Sequence, residues 1–154
     1  MRDIIFRGKQ ITDKKWVMGG VDTSTDKKPY ITRRAMYRPD TRDWDTAEYY
    51  EHNPHYTRAC IDIIPETLGQ FTGLTDKNGL KIFEGDICKF REWERGEMCW
   101  VGEVLYEHQQ FIISGGPNEE CSTEFFLQMS RFIPENIEVI GNIHDNPELL
   151  DKRG

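Results

Sequence analysis

Long apolar runs are missing from this chain, and so are the short patterns that mark the commoner chemistries. No stretch approaches the ~18–20 consecutive apolar residues that cross a bilayer. At the start, Asp3, Arg7 and Lys9 surround a brief Ile4-Ile5-Phe6 run where a secretory leader would stay apolar. A cytoplasmic protein is expected. No Gly-x-Gly-x-x-Gly or Gly-Lys-Ser/Thr pattern occurs, so a glycine-rich phosphate cradle is not predicted. Ser114, Ser122 and Ser130 sit in no Gly-x-Ser-x-Gly context, and neither His108 nor His144 has an evident acidic orienter, so a hydrolase triad has no support. The cysteines, at 60, 88, 99 and 121, are widely spaced with no Cys-x-x-Cys. That spacing favours buried free thiols over a zinc site, and a reducing compartment disfavours disulfides.

Positive charge is in short supply as well, and the formal net charge is −7. The deficit is uneven. Residues 1–60 hold 12 Lys and Arg against 9 Asp and Glu, a balance of +3, whereas residues 61–154 hold 8 against 18, a balance of −10. Wholesale binding of a phosphate backbone needs a broad basic field, so any nucleic-acid contact is confined to the first half. Opposite halves also favour self-association, although an acidic surface serves solubility equally well.

At 154 residues the chain suits one domain, or two subdomains in one compact unit. Short runs with two-residue alternation predict strands over 3–7 and 15–21, which form a hairpin, and over 30–32 and 59–64. Gly19-Gly20 marks a bulge or the end of pairing. Beyond these, 68–71 begins another strand, and 86–91, 97–106, 109–114, 124–128 and 137–141 follow. Within 97–106, Met98, Trp100, Gly102, Val104 and Tyr106 share one face while Cys99, Val101, Glu103 and Leu105 share the other. Asn146-Pro147-Glu148-Leu149-Leu150 has a capping residue, a proline at the first helical position and an acid in the first turn, the marks of a short terminal helix.

The densest pattern lies between Gln70 and Phe90. Asp76-Lys77-Asn78-Gly79 is a polar turn ending in Asn-Gly, which tolerates positive φ, and Glu84-Gly85-Asp86 is a second turn feeding the strand at Ile87. The block Thr72-Gly73-Leu74-Thr75-Asp76-Lys77-Asn78-Gly79, followed by Ile82-Phe83-Glu84-Gly85-Asp86-Ile87, resembles the signature of the YopX family of phage and prophage proteins. Cys88 stands where the family pattern has valine. The opening Met1-Arg2-Asp3-Ile4-Ile5-Phe6-Arg7-Gly8 and the closing run from Ile137 to Leu150 extend the likeness over nearly the whole chain, except about 29–60. The resemblance implies a phage or prophage origin and a mainly β fold whose C-terminal part is an SH3-like barrel. It implies no activity, cofactor or catalytic residue.

Three segments carry candidate chemistry. Tyr30 to Trp44 interleaves Arg33, Arg34, Arg38 and Arg42 with Tyr37 and Trp44, a composition that suits stacked, unpaired bases; Asp40, Asp43 and Asp45 cancel much of that field. His52 and His55 lie close together, but Pro54 between them and the lack of a second ligand pair argue against a metal. Glu84 and Asp86 form an acid pair in sequence only; Gly85 between them and the backbone-bonding habit of Asp favour a structural turn. Trp93, among Glu92, Glu94, Arg95 and Glu97, marks an exposed loop suited to ligand contact.

The expected protein is mainly β, a β-rich α+β fold. An N-terminal β-rich subdomain (1–66) carries an irregular Arg/aromatic connector (about 33–58), and an SH3-like barrel with a short terminal helix follows (67–154). It is expected to be non-enzymatic, without cofactor or metal, and to act through a protein partner or as a homo-oligomer. Nucleic-acid binding through Arg33, Arg34, Tyr37, Arg38, Arg42 and Trp44 is the alternative. Asn78, Gly79, Gly85 and Asp86 are assigned to structural turns.

Overall fold

A computed structural model describes residues 4–22, 29–37, 44–46, 56–91, 99–116, 123–126 and 136–151. Within them the protein is mainly β, with twelve strands and one short helix. The chain divides into two compact units, Ile4–Leu68 and Gly69 onward.

In the N-terminal unit, β1 (Phe6–Lys9) and β2 (Trp16–Asp22) form an antiparallel hairpin. Gly19-Gly20 is a hand-over point: Gly19 ends the pairing with β1, opposite Phe6, and Gly20 begins pairing with β3, opposite Thr32. β3 (Tyr30–Tyr37) does not stop at Thr32; its other edge pairs with β5 (Tyr56–Asp62) from Tyr30↔Asp62 to Met36↔Tyr56, and its far end pairs with β4 (Trp44–Thr46). The irregular connector expected over about 33–58 is therefore corrected at 33–37, 44–46 and 56–58, where the backbone is strand. Arginine, methionine and tyrosine break no ladder hydrogen bond, so cross-strand pairing overrides the missing apolar alternation.

Beyond β5, the Ile11 N–H donates to the Asp62 carbonyl (3.1 Å) and the Ile64 N–H to the Lys9 carbonyl (2.8 Å), returning the end of β5 to the β1 hairpin. Pro65–Thr67 then forms a 3₁₀ turn. The unit's core is Val17, Ile31 and Ile63, with Phe6, Val21, Ile61 and Leu68 packed around them.

In the C-terminal unit, β6 (Gly69–Thr75) and β7 (Lys81–Phe83) are an antiparallel pair. The remaining strands are β8 (Asp86–Arg91), β9 (Cys99–Glu107), β10 (Gln110–Gly116), β11 (Thr123–Phe126) and β12 (Ile137–Asn142), and they make a five-stranded antiparallel sheet in the order β11-β10-β9-β8-β12. The β9–β10 turn is made by His108 and Gln109, both at positive φ. Of the two faces read from the alternation in β9, one holds the buried Trp100, Gly102 and Val104 but ends at Tyr106, which is exposed, and the other holds the half-buried Val101, Glu103 and Leu105. Ile82, Cys88, Phe90, Trp100, Val104, Phe111, Ile113 and Ile137 form one core cluster.

No pairing among the described residues closes this sheet, so the SH3-like barrel expected here is not seen as a closed barrel. A physical reason lies at β12, whose edge away from β8 is already occupied. The Lys77 N–H donates to the Ile137 carbonyl (3.0 Å), and the Val139 N–H donates to Asp76 Oδ2 (3.1 Å). α1 (Glu148–Asp151) ends the described chain, its Leu149 packing over Gly141, where a Cβ would lie 2.8 Å from the leucine Cδ1.

Candidate interaction surface

Two kinds of polar cluster stand out, and they serve different ends. The first is built from the Gln70–Phe90 block. Asp76 is buried at 3% exposure, and its two carboxylate oxygens collect donors from three places. Oδ1 accepts from the Asn78 N–H (2.8 Å) and the Leu80 N–H (2.9 Å); Oδ2 accepts from the Val139 N–H (3.1 Å) and, at 3.4 Å, from the Asn78 amide. Burial acts to raise the Asp76 pKa, but donation from Val139, Leu80 and Asn78 outweighs it and holds the carboxyl below its ordinary value. Lys77 Nζ adds an ion pair with Glu138 at 2.6 Å, on partly exposed side chains.

The second turn is equally absorbed by the scaffold. Gly85, at φ +78°, donates its N–H to the Val104 carbonyl (2.8 Å) and accepts from the Ile143 N–H (2.9 Å), while the Glu84 N–H donates to the Gln70 carbonyl (2.9 Å). Asp86, 1% exposed, accepts the Phe83 N–H at 2.7 Å. Asn142 Oδ1 accepts the N–H groups of His144 and Asp145, both at 3.0 Å. The Gln70–Phe90 and Ile137–Leu150 blocks thus meet in space, held by backbone and carboxylate bonds. Asn78 and Gly79 complete the Asp76 turn, Gly79 at φ +79° with open space around it.

The other cluster lies on the outer face of the N-terminal hairpin, where Arg7, Lys9 and Trp16 are half-buried and Met18 is exposed. In β1 and β2 the alternation sends Gly8 and Val17, which are opposite each other, toward the core; a Cβ on Gly8 would lie 2.7 Å from Ile63 Cδ1. Arg7, Lys9, Trp16 and Met18 therefore share the outer face, with Arg7 opposite Met18 and Lys9 opposite Trp16. The Arg7 guanidinium carbon is 4.7 Å from the Trp16 ring centroid and Lys9 Nζ is 5.3 Å from it, so one indole is contacted by two cations. Met18 is 44% exposed. In the hairpin turn Asp13 pairs with Lys15 at 3.2 Å and accepts its N–H, the main cause of its lowered pKa. Thr32 Oγ1 donates to the Gly20 carbonyl (3.2 Å), carrying this face on to β3.

The residues singled out in the sequence divide unevenly. Arg33 stands opposite Ala59, Arg34 opposite Arg58, and Tyr37 opposite Trp44, so the pairing gathers four of them at one end of the N-terminal sheet. Arg38, Arg42, Trp93, His52 and His55 lie outside the described residues. Arg7, Lys9, Trp16 and Met18 escape sequence reading because they lie on two strands. The available signal is the alternation 7, 9 and 16, 18, which becomes a surface only once the register sets Lys9 against Trp16. Among the described residues no group of three or more His, Cys, Asp or Glu is arranged to hold a metal, and no helix is long and apolar enough to cross a membrane.

The chain is similar to a solved structure described as the crystal structure of protein EF1440 from Enterococcus faecalis. The two share 25% sequence identity and a TM-score of 0.51, over 97% of this chain and 99% of that one. No curated protein matches. A model of the family described as "YopX protein" matches residues 5–151, spanning both the Gln70–Phe90 block and the closing segment with which it shares its hydrogen bonds, and the chain belongs to the YopX family.

Proposed function

We propose that this protein is a non-enzymatic, cytoplasmic accessory protein of phage or prophage type that acts by binding, to a protein partner or to itself, through the outer face of its β1–β2 hairpin. The observation that carries this reading is the Arg7–Trp16–Lys9 arrangement beside the exposed Met18. Tryptophan, arginine and methionine are the residue types enriched at the centres of protein interfaces. The buried carboxylates of the C-terminal unit, Asp76 and Asp86, accept backbone N–H groups, which supports a structural over an acid/base role for them. Affinity capture from the native host with the wild type and with Lys9→Glu/Trp16→Ala tests it. Proteins retained by the wild type and lost from the folded variant support the reading; identical retention by both overturns it.

A second reading, single-stranded nucleic-acid binding, is favoured by the register that sets Tyr37 against Trp44 and Arg34 against Arg58. It predicts salt-dependent binding of a labelled oligothymidine, weakened by Arg34→Ala. Flat anisotropy at low salt rejects it.

A further inference from the structure

Six asparagines occur in this chain, and the residue that follows each decides whether its side chain can be attacked by the backbone. Ring closure requires the next backbone nitrogen to reach the side-chain amide carbon. Pro54 and Pro147, after Asn53 and Asn146, have no N–H to offer. Ile137 and Ile143, after Asn136 and Asn142, crowd the approach with a branched Cβ, and Glu119 after Asn118 also carries a side chain. Asn78 alone is followed by glycine, which has no Cβ to obstruct it. The fold leaves this position accessible. Asn78 and Gly79 are both exposed, and a Cβ built on Gly79 would meet nothing within 4 Å, so a ring formed there displaces no neighbour.

We propose that Asn78 is a site of spontaneous covalent modification, at which loss of ammonia loosens the turn that covers the outer edge of β12. The Gly79 amide nitrogen gives its proton to solvent and attacks the Asn78 side-chain carbon. A C–N bond forms, the Asn78 side-chain nitrogen leaves as ammonia, and a cyclic imide remains. Water then opens the ring at either carbonyl, so water is consumed, ammonia is released, and nothing is oxidised or reduced. Opening at the former backbone carbonyl gives isoaspartate, whose main chain runs through the old side chain and is longer by a methylene; opening at the other gives aspartate. Both products strike the same turn. Residues 76–80 are closed by the Asp76 N–H on the Leu80 carbonyl (2.8 Å), the Gly79 N–H on the Asp76 carbonyl (3.0 Å), and the Asn78 and Leu80 N–H groups on Asp76 Oδ1 (2.8 and 2.9 Å). A methylene inserted between residues 78 and 79 breaks that spacing. Aspartate at 78 instead puts a carboxylate where an amide donates to Asp76 Oδ2 at 3.4 Å, so like charges meet and a donor is lost. Because Asp76 Oδ2 also accepts the Val139 N–H (3.1 Å), the damage is passed to β12. The Gly79 N–H bond sets the pace: attack waits for it to open, so the folded chain converts more slowly than the unfolded one.

Ageing the full chain in mildly alkaline buffer, beside a sample kept unfolded in urea, tests this. Cleavage after glutamate yields the peptide 67–84, in which Asn78 is the one asparagine, and mass spectrometry reads its conversion from amide to acid. In the folded chain Asn78 is expected to convert at least about tenfold faster than any other asparagine. The converted fraction, separated by its added negative charge, should unfold at a lower urea concentration, and its Val139 amide should exchange hydrogen faster than in unconverted protein. Asn78→Gln aged alongside should keep its midpoint, which places the damage at this residue. A folded chain whose Asn78 stays intact while the unfolded sample converts overturns the inference, as does faster conversion at another asparagine. So does a converted fraction with unchanged midpoint and unchanged Val139 exchange, or an Asn78→Gln variant that loses stability on ageing as the wild type does.

Discussion

The two units of this protein spend their polar residues in opposite ways. Among the described residues, the C-terminal unit buries Thr72, Asp76 and Asp86 beside an eight-residue apolar cluster, and gives each of them backbone groups to bond. Among the described residues, the N-terminal unit buries Thr67 as its one comparable polar side chain, around a core of three buried apolar residues, and places Arg7, Lys9, Trp16 and Met18 on its other face. Buried, satisfied polar groups specify one arrangement of strands, since any slip leaves them without partners. Half-buried cations packed on an aromatic ring, beside an exposed methionine, are suited to recognition. One unit is therefore read as scaffold and the other as surface.

Substitutions should separate these roles. The largest loss is expected for Phe90→Ala, at the fully buried centre of the C-terminal cluster and stacked near Trp100, which should cost about 3–5 kcal/mol in urea denaturation. Next comes Asp76→Ala, which strands the Val139, Leu80 and Asn78 donors and should cost about 2–4 kcal/mol. The same residue predicts a pH dependence of definite sign. Its folded pKa lies below the ordinary value, so its contribution is complete above the unfolded pKa of about 3.9 and is lost as pH falls through the folded value. The stability difference between wild type and Asp76→Asn should accordingly shrink below about pH 4, and a constant difference would deny the carboxylate this role. Gly79→Ala, forcing a side chain into positive φ in otherwise open space, should cost about 1–2 kcal/mol by the same measurement. Smallest is Lys9→Ala on the hairpin face, expected within about 0.5 kcal/mol of wild type. A large loss there would show that the hairpin face is structural and break the contrast.

Much of the C-terminal sheet is legible in the amino-acid order, since β8 is expected at 86–91 and found at Asp86–Arg91, and β12 differs from its expected span by one residue. Turn chemistry makes this possible: Gly85 and Asp86 announce where the strand begins. β7 goes unread because its three residues lie between two turns and show no period. The extension of β3 through Arg33 and Arg34 is hidden for a different reason, namely that its pairing with β5 is a long-range property. Asp76 is visible as a turn residue, yet its bond to Val139 reaches 63 positions along the chain. No local pattern encodes such a partner. The candidate surface is half legible in the same sense. Arg33, Arg34, Tyr37 and Trp44 declare themselves by composition, whereas Arg7, Lys9, Trp16 and Met18 become one patch only through register.

The covering of β12 by Asp76 and Lys77 has a consequence for how the protein behaves in concentrated solution. The outermost strand of an open sheet invites another chain to add itself, the first step toward a fibril. Here the carboxylate and the neighbouring N–H satisfy Val139 and Ile137 along the side that would otherwise extend the sheet. Only half of that cover carries a titratable group: acid weakens the Asp76 bond to Val139, whereas the backbone bond from Lys77 to Ile137 holds at any pH and keeps part of the edge closed.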